Sequence, residues 1–257
     1  PRPPPPPPAP TFFFHAVAGI GDCLLSRGLG DVYKRQPIYD SEKLEPGTGD
    51  IIFIPYMERM NASLAYYKGF DLRNNYPFID RWLTLFENLS AYRGTQGDFH
   101  THSHDLPPQM GGCFKEVNDQ QISFSNLIDV GEGLGNLEFN QDIDLDYYAK
   151  FALKRVLKHK DNIINANPYE KDLFEESLRA ALTHMITSEI NEVPKKAATS
   201  INYLKNRISV PRDMPIISAR ILRQSLNKIE STNVNSKIDK IPEKHRYDQD
   251  PAKFILN

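Results

Sequence analysis

The chain has 257 residues, 31 Lys and Arg against 33 Asp and Glu, a formal charge of −2 and 40% hydrophobic residues. That balance supplies no basic field for nucleic-acid binding by counterion release, and no apolar run reaches the roughly 20 residues of a membrane-spanning helix. Two cysteines, Cys23 and Cys113, cannot build a disulfide framework, so a reducing compartment such as the cytoplasm is expected.

Pro1 to Pro10 holds eight of the 20 prolines and reads as extended polyproline with nothing to bury. Thr11 to Gly30 follows neither a helical nor a strand period. The string Gly30-Asp31-Val32-Tyr33-Lys34-Arg35-Gln36 looks like the translated end of a sequencing adapter. Residues 1–36 are therefore expected not to be encoded by the gene, and the genuine N-terminus to lie upstream. A plastid address stays compatible with that.

The first helix is predicted from Asp50 onward. Asp50 stands in the opening turn, where a carboxylate accepts orphan N–H groups. Ile51-Ile52-Phe53-Ile54-Pro55-Tyr56-Met57 and the residues to Tyr67 are apolar on almost every face, which predicts a buried central helix ending at Gly69. Pro55 is expected to kink it. Pro77 opens the next helix, whose stripe is Ile79, Trp82, Leu83, Phe86 and Leu89. Between Gly94 and Asn140 the sequence is rich in Gly, Pro, Asn and Gln and reads as a long loop. Helical periodicity returns at Leu145, Tyr148, Ala152, Val156 and Ile163. It continues from near Asn167-Pro168 through Phe174, Leu178, Ala181, Leu182 and Ile186. A short helix is expected over Ala197–Arg207, and a last one from Asp213-Met214-Pro215 to Ile229. No alternating strand pattern occurs, so the class is all-α.

Three features of Gly49 to Gly112 resemble the C-terminal helical domain of glutathione S-transferase-like proteins. They are the Asp50-started apolar helix, its continuation Glu58-Arg59-Met60-Asn61-Ala62-Ser63-Leu64 with Tyr66-Tyr67-Lys68-Gly69, and the Pro77…Ile79…Trp82 helix. A narrower match is to members with a long C-terminal extension. It rests on Tyr92-Arg93-Gly94-Thr95-Gln96, Asp98-Phe99-His100-Thr101-His102, Asp105 to Cys113 and Lys244 to Pro251. The family helix usually starts Ser/Thr-x-x-Asp, a capping box; here Gly47 takes the hydroxyl position and only the carboxylate half remains.

Residue patterns give a non-native leader over 1–36, a long loop over 95–140 and a polar tail over 231–257, and family-like helices over 37–94 and a helical extension over 141–230 follow from the resemblance. The resemblance also implies a preceding thioredoxin-like domain, missing here, that binds glutathione and carries the Ser, Tyr or Cys activating its thiol. The parent activity implied is glutathione conjugation, or glutathione-dependent reduction, of a small electrophile. The fragment itself is expected to be inactive and to self-associate, and a homodimer is compatible with the family. The competing reading is a non-catalytic binding or scaffold module of the same fold. Tyr56, Arg59 and Tyr66 are candidates for the electrophile pocket or the domain interface. The alternative is that the aromatics are core and that Glu58 is a buried charge met by a partner.

A further candidate comes from the residues alone. His100-Thr101-His102-Ser103-His104-Asp105 is the densest polar cluster. In an extended segment its imidazoles project to one side, about 6.5–7 Å apart from neighbour to neighbour. His100, His102 and His104 could then hold zinc or iron, with Asp105 or Cys113 as a fourth ligand. Otherwise they satisfy loop backbone groups, and Cys113 is a thiol tucked beneath the loop.

Overall fold

A computed structural model describes residues 45–110, 113–130 and 144–232. The leader, the Gly111-Gly112 pair, residues 131–143 and the tail beyond Thr232, with its Lys244–Pro251 string, lie outside the described residues. Eleven α-helices and one 3-10 turn make up the described chain, with no strand among those residues. The chain is all-α, and no described helix is long and apolar enough to cross a membrane. Two compact units divide between Phe53 and Ile54.

In the first unit the described residues are the start of α1 (Thr48–Lys68). The Asp50 carboxylate reaches back to accept the Gly47 N–H at 2.9 Å, and Ile51 N–H bonds the Gly47 carbonyl at 3.1 Å. This is the carboxylate half of a capping box, with Gly47 as N-cap. Asp50 is buried, but Ile51 and Ile52 are more than half exposed. The expectation of a helix buried on every side is therefore corrected: all-round apolarity does not dictate all-round burial when neighbours cover one side only.

In the second unit, α1 runs unbroken through Pro55 to Lys68. Gly69 ends it with φ +65° and donates its N–H to the Ala65 carbonyl at 3.0 Å, the left-handed cap that glycine favours. A Cβ here would lie 2.4 Å from the Gln121 nitrogen, so the next layer also requires glycine. The final carbonyls of α1 find donors outside the helix: Gln121 Nε2 on Tyr66 (2.7 Å) and the Glu116 N–H on Tyr67 (2.8 Å).

Helices α2 (Leu72–Asn75) and α3 (Pro77–Glu87) are stitched by Arg73, which donates to Asp80 at 2.5 Å, Glu87 at 2.7 Å and Thr84 at 2.8 Å. Pro77 occupies the first turn, and Trp82, Leu83 and Phe86 form the buried stripe, as the period predicts. After α4 (Ser90–Thr95) the expected long loop is instead largely helical. It contains α5 (Phe99–Met110) and α6 (Asp119–Asp129). The reason lies in two N-caps: Asp98 accepts the Thr101 N–H at 2.9 Å and Asn118 the Gln121 N–H at 2.8 Å. These caps start helices within a Gly- and Pro-rich stretch.

The main core is built by α7 (Leu145–Lys158), α9 (Lys171–Thr187), α10 (Ala198–Lys205) and α11 (Ile216–Ser231) around Phe174, Ile201, Leu222, Leu226 and Ile229. The single helix expected over Leu145–Ile163 breaks at His159, beyond which α8 spans Lys160–Ala166. Helix α9 starts at Lys171, not at Asn167-Pro168. The Asn167 side chain instead caps a turn, accepting the Tyr169 N–H at 3.1 Å and donating to the Ser200 carbonyl at 3.1 Å. The short helix expected over Ala197–Arg207 is α10, preceded by the 3-10 turn Lys195–Ala197.

Candidate functional site

Helix α5 carries all three histidines, and helical geometry separates them. Residues four apart share a face, whereas a residue two apart points nearly opposite. His100 and His104 stack side by side with ring centroids 4.3 Å apart. His102 faces the other way. The expected one-sided trio is corrected accordingly, because an extended segment has a period of two and a helix does not.

On the first face, His104 Nε2 lies 2.8 Å from Asp129 Oδ1, and Asp129 ends α6. The Tyr66 hydroxyl donates to both carboxylate oxygens of Asp129, at 3.2 and 3.1 Å. Burial, reinforced by the Asp129 charge, pushes the Tyr66 phenol well above its ordinary range. Burial alone would raise the Asp129 carboxyl, but the hydrogen bond and charge interaction with His104, the Lys205 charge and the Tyr66 hydroxyl together outweigh it and hold Asp129 below the usual carboxylate value. His100 is 3% exposed, and neither ring nitrogen makes a well-formed hydrogen bond, although the Asn206 side chain interacts with the ring. Burial, together with the nearby Arg223 charge, drives its pKa well below that of free histidine, so the ring is neutral. His100, His104 and Asp129 each offer a ligand atom, and these atoms lie within 4.8 Å of one another.

On the second face, His102 Nε2 sits 2.5 Å from Glu58 Oε1 on α1. The same carboxylate accepts the Gly97 N–H at 2.6 Å and the Tyr92 hydroxyl at 2.7 Å. A Cβ on Gly97 would lie 2.6 Å from His102 Nε2, so any larger residue there would have to push the His102 and Glu58 side chains aside. Glu58 is thus a half-buried charge met by partners. A small solvent-open cleft of about 30 Å³ lies beside it, lined by Glu58, Arg73, Glu87, Tyr92, His102 and Arg220 among others.

Beneath α5 a third group of contacts fixes the helix. Arg223 of α11 is fully buried and pairs with Asp98. It also donates to the Ile208 carbonyl at 2.6 Å and to Thr101 Oγ1 at 3.2 Å, while Val210 N–H reaches the same hydroxyl at 3.0 Å. Sequence reasoning missed this anchor, because Arg220 and Arg223 sit within an apparently ordinary amphipathic helix.

The remaining candidates divide. Tyr56 is 70% exposed and Arg59 is exposed, so both are on the surface of α1. Tyr66 does not join them: it is 4% exposed and packs with Tyr67 and Ile128. Cys113 is half-buried against that same cluster. The side chain that converges with His100 and His104 is Asp129, and not Asp105 or Cys113, the fourth ligands expected from the sequence. The His100-x3-His104 spacing signals a shared helical face once the segment is known to be helical, whereas Asp129 lies too far along the chain for spacing to reveal. Comparison with protein-family models, with curated proteins and with solved structures finds no match to this chain.

Proposed function

We propose that this chain is the later, helical part of a glutathione S-transferase-like protein, whose whole form conjugates glutathione to a small electrophile or uses it to reduce one. The observation that carries the reading is the start of α1, where Asp50 accepts the Gly47 N–H at 2.9 Å and is buried. A carboxylate returning to its own N-cap at the head of an apolar helix is the retained half of the family's capping box. The exposed Tyr56 and Arg59 suit a face on which a thioredoxin-like domain rests. In this reading the preceding domain generates the glutathione thiolate, which is the nucleophile. The helices described here supply walls and support.

The expected result is that this chain gives no heat with millimolar glutathione in calorimetry. The product of the gene extended upstream binds glutathione and conjugates it to a chloronitrobenzene. Millimolar-or-better affinity in this chain alone would overturn the reading, as would an upstream gene sequence with no thioredoxin-like segment. An upstream domain that binds glutathione but lacks a thiol-activating Ser, Tyr or Cys would favour the scaffold module.

A further inference from the structure

We propose that His100, His104 and Asp129 form a site for one divalent transition-metal ion, with zinc the best match to two imidazoles and a carboxylate. This inference is independent of the glutathione reading and rests on the two faces of α5.

Four observations carry it. The three ligand atoms already lie within 4.8 Å of one another, and two of them are i,i+4 on one helix, a common way of presenting paired imidazoles to zinc. His100 is a buried imidazole whose ring nitrogens make no well-formed hydrogen bond, its polar contact being with the Asn206 side chain, although buried polar groups are nearly always satisfied. A metal bond would satisfy one of the two nitrogens. The carboxylate ligand is oriented from outside, since Tyr66 donates to both oxygens of Asp129 and Asn227 Nδ2 holds its backbone carbonyl at 2.9 Å. Such supporting hydrogen bonds fix ligand direction in metal sites.

The fourth observation is electrostatic. Two cations lie close, but each is compensated: Lys205 pairs with Glu230 at 3.1 Å and Arg223 with Asp98. The charge left over at the site is that of the Asp129 carboxylate. Its side chain is 39% exposed, which gives an ion a path in from solvent. On binding, the ion takes the place of the hydrogen between His104 Nε2 and Asp129, the ring proton residing on Nδ1. Two imidazoles and one carboxylate leave at least one coordination position open, the arrangement of catalytic rather than closed structural zinc sites.

The test uses the full chain stripped of metal with a chelator and titrated with Co²⁺, then Zn²⁺. The expected result is one equivalent of Co²⁺ with visible absorption bands of a four- or five-coordinate ion, displaced by Zn²⁺. His100→Ala, His104→Ala and Asp129→Asn each weaken binding by about 100-fold or more, and Tyr66→Phe by about 10-fold. His102→Ala leaves affinity unchanged, because its ring sits on Glu58 on the opposite face. Asp129→Asn keeps the side-chain shape and an acceptor for Tyr66, so an unchanged helical circular dichroism spectrum separates loss of the ligand from loss of the fold. Absence of saturable Co²⁺ binding would overturn the site, as would full binding in His100→Ala or equal loss in His102→Ala. No glutathione enters this assay, so its failure and that of the transferase reading are told apart.

Discussion

Replacing Asp98 by alanine is expected to lower folding stability by about 3–5 kcal/mol, the usual cost of removing one partner of a buried ion pair. Arg223 is fully buried, and with Asp98 gone its charge keeps only neutral acceptors, the Ile208 carbonyl and Thr101 Oγ1. Asp98 also caps α5 through the Thr101 N–H, so the substitution loosens the helix carrying all three histidines. Urea midpoints of Asp98→Ala, Arg223→Met and the double variant measure the coupling. The double variant should recover part of the loss, because apolar groups can replace a buried pair at little net cost. Losses that simply add would show that the two side chains do not interact.

The same pair sets a pH dependence. Burial raises the Asp98 carboxyl, but the Arg223 guanidinium and the Thr101 contacts outweigh it, and its folded-state pKa is depressed. Below an unfolded value of about 3.9 the unfolded chain binds the proton first, so stability falls as pH falls. The contribution is therefore complete at neutral pH and lost as pH drops through the folded value. The difference between wild type and Asp98→Asn should stay constant from pH 7 to 5 and shrink below pH 4.

Glu58→Ala is the second large effect expected, about 2–3 kcal/mol, since it strips three donors of one half-buried charged acceptor. Gly97 N–H, the Tyr92 hydroxyl and His102 Nε2 all converge on that carboxylate, which ties α1 to α4 and α5. Glu58→Gln keeps one carbonyl oxygen in place and should cost less, about 1–2 kcal/mol. Denaturant titration distinguishes the two variants, with amide exchange at Gly97 as the local readout. A Glu58→Ala protein within 0.5 kcal/mol of wild type would mean that the three donors do not share the carboxylate in solution.

Where the sequence was legible, one local signal sufficed. Pro77 marks a first turn, and Trp82, Leu83 and Phe86 recur at helical steps, so α3 needs no tertiary information. Asp50 announces the start of α1 in the same way. Helix α5 was hidden because Gly97 precedes it, Pro107 and Pro108 lie within it and its start depends on a single cap, Asp98. Misreading its period put three histidines on one side, although only His100 and His104 share a face. Asp129 and Arg223 were illegible for a different reason. Each meets α5 from a distant part of the chain, and a charged residue within an amphipathic helix looks solvated until its partner is known. The exposure of Ile51 and Ile52 shows the converse: hydrophobic composition alone does not say which neighbours cover a helix.

All the chemistry read from this chain depends on residues 99–110 being an ordered helix that sends His100 and His104 to one side and His102 to the other. Amide hydrogen exchange followed by mass spectrometry over that segment tests this most directly. The expected result is protection of at least about a hundredfold for the amides from His102 to Leu106, beginning with the His102 N–H bonded to the Asp98 carbonyl at 3.0 Å. Exchange of these amides at the rate of a free peptide would dissolve both the Glu58 contact and the His100–His104–Asp129 cluster.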